Sequence, residues 1–188
     1  MDSAKKDSGD HGHAHGTNDV GSEHGPEGRA KLWAMIEPIR FAMLTTRHGS
    51  NGHLHSRPIT TQNKAIDEDH SLWFFIARDS EPVAELSADP IVNAVYADPG
   101  ADTWVSVSGT ARVVEDMAKK QQLWSKMTEA WFPAGVTDPN LALVQLEIIH
   151  ANYWDVKESK IVQFFEMAKA VATGKPPTLG EHGEVRMR

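Results

Sequence analysis
Many short extended runs at close spacing, with only a few helices among them, set the tightest limit on how this chain can fold. Ile39 to Thr46, His53 to Gln62, Ser71 to Ala77, Asn93 to Tyr96, Thr103 to Val114, Leu141 to His150 and Asn152 to Val156 are each rich in β-branched or aromatic residues. The cluster Arg47-His48-Gly49-Ser50-Asn51-Gly52 supplies two glycines between the first two runs and predicts a hairpin. In Thr103 to Val114, Trp104, Ser106 and Ser108 alternate with Val105, Val107 and Gly109, so that strand has two distinct faces. A doubly wound parallel sheet needs a crossover helix between successive strands, and this rhythm is absent. The expected class is therefore mainly β with a few helices, an antiparallel barrel or sandwich. Glycine-rich dinucleotide and P-loop fingerprints are also missing, so any phosphate must be held by side chains and turn amides.

Helical spacing is confined to short stretches. Leu32, Trp33, Met35 and Ile36 predict a helix from about Glu27 to Glu37, ended by Pro38. Ser80 is placed to cap a helix carrying Val83, Ala84, Leu86 and Ala88, and Asp116 to cap one running to about Trp131. A last helix is expected over Ser159 to Ala172. Residues 1–28 are polar and rich in Gly, His and Asp, and are expected to be a disordered tail that leaves one folded domain over 29–172 and a polar tail over 173–188. The alternating His11, His13 and His15 fit adventitious metal capture, and no functional metal site is expected. A net charge of -7 with no Lys/Arg cluster argues against a nucleic-acid partner. No apolar stretch suggests a membrane span or a leader, so a cytoplasmic location is the default expectation. The absence of cysteine excludes disulfides, Cys-ligated zinc and a thiol nucleophile.

An ordered set of segments carries a resemblance. His53-Leu54-His55-Ser56-Arg57-Pro58-Ile59, Leu72-Trp73-Phe74-Phe75, Ala77-Arg78-Asp79-Ser80, Asp89-Pro90, Trp104 to Ala111 and Ala130-Trp131-Phe132-Pro133-Ala134-Gly135 resemble the general stress protein subfamily of pyridoxamine-5′-phosphate-oxidase-like flavoproteins. The likeness extends to Tyr153-Trp154-Asp155 and Thr173-Gly174-Lys175-Pro176 and covers about residues 29 to 180. It implies a six-stranded antiparallel split β-barrel that binds FMN, with FAD as the alternative flavin, in sites shared by the two chains of a homodimer.

The resemblance also assigns cofactor-binding residues. Arg57 is expected on the FMN phosphate, where a guanidinium fork suits a dianion. Pro58, Ile59 and Thr60 are expected along the isoalloxazine edge, Phe75 and Ile76 on the neighbouring strand, and Arg78 and Ser80 at the phosphate turn. By alternation only one of Phe74 and Phe75 can face the site. Trp104 and Trp131 are expected to border the ring. Members of the family usually carry a basic residue, commonly Lys, directly after the Ser, whereas this chain has Glu81-Pro82. Losing one charge-assisted contact costs about 1.5 to 3 kcal/mol, which would lower FMN affinity roughly ten- to a hundredfold. Arg78 is placed to compensate from the same turn.

Two functions follow from the resemblance. One is a flavin-dependent oxidoreductase that passes electrons between NAD(P)H or another small donor and a small acceptor. The other is a non-catalytic flavin-binding or buffering stress protein with a weakened phosphate site. No catalytic acid or base is assigned: His53 and His55 are expected to be exposed or structural, and His150, the one residue placed to ligate haem in a related barrel, is expected to be structural.

Overall fold
In the computed structural model, residues 22–156, 160–175 and 180–187 are described. The chain begins with strand β1 (Ser22–His24) and helix α1 (Gly25–Ile36). Proline near the start of α1 has no amide hydrogen to lose, and Glu27 complements the positive end of the helix. Leu32, Met35 and Ile36 recur at helical spacing and are buried. Pro38 then forces the chain out of the helix, as the sequence predicts.

Strands β2 (Phe41–Arg47) and β3 (Leu54–Thr60) form the expected hairpin, with Gly52 taking the left-handed conformation (φ 69°) that its loop requires. They are followed by β4 (Ser71–Ala77), helix α2 (Glu81–Ala88), β5 (Ile91–Asp98) and β6 (Thr103–Val114). Helices α3 (Met117–Leu123) and α4 (Lys126–Glu129) precede β7 (Leu141–Asp155), and α5 (Lys160–Thr173) leads to β8 (Glu181–Arg186). The sheet path is β1-β8-β7-β6-β5-β2-β3, and β4 pairs with β7 on the other side. Between β3 and β4 the ladder shrinks to one bridge, Thr61 to Phe74. The sheet curls back on itself there without closing. At that seam Thr61 shares a buried 2.6 Å hydrogen bond with the Tyr96 hydroxyl, which ties β5 to the unpaired edge.

Two apolar clusters explain the burial along β4 and β7. Phe74, Leu72, Val144 and Leu146 join Leu44, Val105, Val107 and Tyr96 inside the curl. Trp73 and Leu143 point the other way and are covered by Leu123 of α3. Both faces of this strand pair are dry, so Leu72 to Phe74 and Leu141 to Val144 read as unbroken apolar runs.

Several expectations are corrected. The sheet has eight strands among the described residues, not six, and β1 pairs with β8 in parallel, so it is not wholly antiparallel. Residues 181–186, expected within a polar tail, form β8 against β7. Residues 22–28, expected to be disordered, contribute β1 and the first turn of α1. The expected breaks also move. Leu141 to Asp155 is one strand, because a bulge at Ser108/Gly109 leaves Ile149 as an extra residue on β7 and restarts the alternation without ending the ladder. The single helix expected from Asp116 to Trp131 is two, since Trp124 turns extended (ψ 137°) and Ser125 caps a new start by accepting from the Thr128 amide. His11, His13 and His15 lie outside the described residues. Among the described residues no helix is long and apolar enough to cross a membrane.

Candidate functional site
Two periodicities meet where α2 lies against β2 and the start of β3. Residues two apart on a strand share a face, so His55 and Arg57 point the same way, with Thr46 and Leu44 opposite them in the β2 ladder. Residues four apart on a helix share a face, so Glu81 and Glu85 point the same way from α2. The two faces oppose each other. Glu85 is 3% exposed, and its Oε2 accepts from Arg57 Nη1 at 2.7 Å and from the Thr46 hydroxyl at 2.5 Å. The same guanidinium reaches Thr46 Oγ1 at 3.3 Å and places Nη2 3.5 Å from Glu81 Oε2. The Arg57 hydrogen bond outweighs the effect of burial and holds the Glu85 carboxyl below the usual carboxylate range, with Thr46 and the Arg57 charge adding to it. Glu85 is a carboxylate at neutral pH.

The other oxygens of these carboxylates face two imidazoles. Glu85 Oε1 is buried without a hydrogen-bond partner and lies 3.6 Å from His55 Nδ1. Leaving such an oxygen unsatisfied costs about 1–3 kcal/mol. Glu81 Oε1 lies 3.1 Å from His48 Nε2, and the His48 and His55 ring centroids are 4.8 Å apart. His48 occupies the β2–β3 turn, where its amide donates to the His53 carbonyl at 2.8 Å.

The turn between β4 and α2 spends its donors internally. The Arg78 amide donates to the Asn140 carbonyl and the Asp79 amide to Asn140 Oδ1. Both the Ser80 amide and its hydroxyl donate to the Ala77 carbonyl, at 3.1 and 2.5 Å. Ser80 occupies the N-cap position of α2, yet its side chain makes no cap hydrogen bond, and buried Pro82 has no amide hydrogen to offer. Arg78 turns away to Glu115 and to the Pro139 carbonyl. A phosphate dianion therefore meets no waiting cradle here: the guanidinium is shared between two carboxylates and the turn hydroxyl is used. The phosphate end does not fit FMN as the family pattern would have it, and Arg78 is paired with Glu115 rather than directed at Arg57.

Beyond this turn lies an open cleft of about 290 Å³, near the lower limit of about 300 Å³ for small-molecule pockets. Phe75, Ile76 and Ala77 form one wall, and Trp131, Phe132 and Asn140 the other. Phe74 is in the core while Phe75 faces the cleft and tilts against the Trp124 ring, 5.9 Å between centroids. Trp131 is 80% exposed, an unusual state for a residue that gains so much from burial.

A profile of the family described as "Pyridoxamine 5'-phosphate oxidase like" matches residues 27–178. The chain belongs to this family. Protein bli-3 of Neurospora crassa is 27% identical over 165 residues, which span 82% of this chain and 77% of that protein. The crystal structure of the general stress FMN/FAD binding protein from Xanthomonas citri is 34% identical with a TM-score of 0.61, covering 71% of this chain and 92% of that one. A general stress protein 26 structure from Jannaschia sp. CCS1 superposes with a TM-score of 0.66 at 24% identity, over 84% of this chain and 96% of that chain, and supports the fold.

Within this family member, the residues expected at the flavin do not gather in one place. Phe75, Ile76 and Trp131 line the cleft. Arg57 and Ser80 lie at the α2 turn with their polar atoms engaged. Pro58 is exposed on the opposite face of β3 beside Met43, Ile59 packs on the core, and half-buried Thr60 pairs with Phe41. Trp104 does not line the cleft; it sits in a row across the sheet with Ala97 and Trp154. Sequence reasoning singled out Glu81-Pro82 as the departure from the family's basic residue, but missed Glu85, Thr46 and His48. The i, i+4 spacing of the two glutamates was the available signal. Nothing in the sequence indicated that their face would meet Arg57.

Proposed function
We propose that this member of the pyridoxamine-phosphate-oxidase-like family is a flavin-binding protein that holds its ligand chiefly by the ring, a binding or buffering protein with a weak hold on phosphate. The observation that carries this reading is the Arg57 guanidinium, committed to Glu85 at 2.7 Å and flanked by Glu81 at 3.5 Å. The aromatic cleft beside it supports ring binding, as does the 34% identical Xanthomonas protein described as binding FMN or FAD. A flavin held this way supplies its own redox chemistry; the chain contributes apolar surface and shielding. Among the cleft residues Asp138 is the one ionisable side chain, which gives little scope for proton transfer to a substrate.

The test is a fluorescence titration of the full chain with riboflavin, FMN and FAD. Riboflavin and FMN are expected to bind within about threefold of each other, because the phosphate gains little. Glu81→Lys, at a side chain 55% exposed, removes a repulsion and adds a cation, and should tighten FMN about ten- to a hundredfold while riboflavin stays unchanged. If wild-type FMN already binds far more tightly than riboflavin, the weak-phosphate reading is wrong. Sustained NAD(P)H oxidation by the flavin-loaded protein would assign an oxidoreductase instead.

The site is proposed to be completed by a second copy of the chain. Phe41, Met43 and Ile91 are 62%, 44% and 69% exposed on one outer face of β2 and β5, which continues through Trp104 and Trp154. Light scattering should give a dimer mass for the wild type and a monomer for Met43→Lys, since a lysine placed at the centre of this face would be buried without a partner. A wild-type monomer at micromolar concentration would remove the second copy from the proposal.

A further inference from the structure
We propose that His48, His55, Glu81 and Glu85 form a binding site for a divalent first-row transition metal ion of the zinc class. Each offers one ligand atom, and these atoms lie within 4.8 Å of one another. Two imidazoles with two carboxylates form a donor set suited to such an ion, and four-coordinate bonds of about 2.0–2.2 Å place neighbouring ligand atoms roughly 3.4 Å apart. The His48–Glu81 and His55–Glu85 pairs, at 3.1 and 3.6 Å, already have that spacing. Closing the other separations calls for movement of about an ångström, available to His48 in its turn and to exposed Glu81 in the first turn of α2.

Independent support comes from the Glu85 carboxylate. It is 97% buried by its 3% exposure, and Oε1 has no hydrogen-bond partner while it points at the imidazoles. A bound cation would satisfy that oxygen. Arg57 does not compete for it. Its guanidinium takes Oε2 of Glu85 and approaches Oε2 of Glu81, which leaves both Oε1 atoms directed at the histidines. Arg57 and Thr46 thereby act as positioning residues that fix the orientation of the ligating carboxylates, the arrangement seen around metal-bound groups generally. On the imidazole side, His48 Nδ1 meets the Ser50 amide, which donates to it at 3.4 Å, and the Ser50 hydroxyl at 3.0 Å; metal binding through Nε2 calls for the tautomer with the proton on Nδ1, the hydroxyl then turning to accept a hydrogen bond from it. Two carboxylates against one guanidinium leave a net charge of about minus one, which attracts a cation. This inference shares the Arg57–Glu85–Glu81 contacts with the flavin reading but needs neither the cleft nor a second copy.

The experiment uses the full chain carrying His11→Ala, His13→Ala and His15→Ala, so that the histidines of the N-terminal segment do not bind the probe. Co²⁺ is titrated with absorption and equilibrium-dialysis readouts, and Zn²⁺ is used to displace it. One Co²⁺ per chain is expected, with the visible bands of a four-coordinate N/O site. His48→Ala and His55→Ala should each weaken binding by at least about tenfold, whereas His53→Ala, an exposed neighbour, should not. His48 is a turn residue, so its variant is expected to keep the wild-type far-ultraviolet circular dichroism and serves as the folded control. Failure to bind Co²⁺, or equal binding by the His48, His55 and His53 variants, overturns the proposal. Because flavin affinity is read separately by fluorescence, loss of one result does not imply loss of the other.

Discussion
Replacing Arg57 by alanine is expected to destabilise the protein by about 3–5 kcal/mol and to lower its melting temperature by roughly 10 °C. The reason is the carboxylate left behind. With the guanidinium gone, Glu85 keeps one hydrogen bond from Thr46, has a second oxygen already unsatisfied, and remains 3% exposed. A buried charge without its partner is far more costly than the intact pair was favourable. The reverse substitution should be milder. In Glu85→Ala the arginine keeps Glu81 at 3.5 Å, and its side chain is 23% exposed, so water takes over part of its solvation. A loss of about 1–2 kcal/mol is expected there. The double variant should lie close to Glu85→Ala alone, because the penalty in Arg57→Ala belongs to the carboxylate it strands. Urea denaturation of the three variants tests the ordering. If Arg57→Ala is no less stable than Glu85→Ala, the pair does not exist as described. The same asymmetry makes Arg57→Ala an ambiguous probe of flavin binding, since lost affinity could follow from a disturbed α2. Glu81→Lys avoids that difficulty.

Gly109→Ala should destabilise the sheet by about 3 kcal/mol, at the upper end of what overpacking does, with slowed or failed folding as the extreme outcome. Gly109 sits in β6 at the bulge, paired with Val92 of β5 on one side and Ile148 of β7 on the other. A Cβ built there falls on the Glu147 carbonyl oxygen, with that carbonyl carbon and Leu146 Cδ2 both 3.0 Å away. The obstacle is mostly backbone. A flexible side chain could rotate aside, but moving the Glu147 carbonyl means breaking the β6–β7 ladder at its most irregular point. Gly49, in the β2–β3 turn, is the matched control: a Cβ there meets nothing within 4 Å, and its alanine variant should stay within about 0.5 kcal/mol of wild type. Equal melting temperatures for the Gly109 and Gly49 variants would show that β7 can yield at the bulge.

Much of the fold is legible in residue order because it rests on local periodicity. Alternation in Thr103 to Val114 predicts which side chains of β6 are buried, and burial follows it residue by residue from Thr103 to Ala111. Alternation also says that only one of Phe74 and Phe75 can face the site, and the structure puts Phe74 in the core and Phe75 at the cleft. It falters where a local signal is absent. The bulge opposite Gly109 reads as a strand end, because an extra residue breaks the period whether or not the ladder continues. Residues 181–186 read as a tail because a short polar strand has no pattern of its own and exists by pairing with β7.

The candidate site divides along the same line. From the sequence alone came the family likeness, the importance of Arg57, and the anomaly of an acid at position 81. Whether that arginine stands ready for an anion or is already neutralised was a question for the tertiary structure. Period two on β3 and period 3.6 on α2 each say which residues share a face, but neither says which faces meet. That depends on how α2 lies over β2, a long-range arrangement set by burial of Pro82 and Leu86. Once α2 is seated, Glu85 has nowhere to go but onto Arg57, and charge pairing in a dry contact decides the rest.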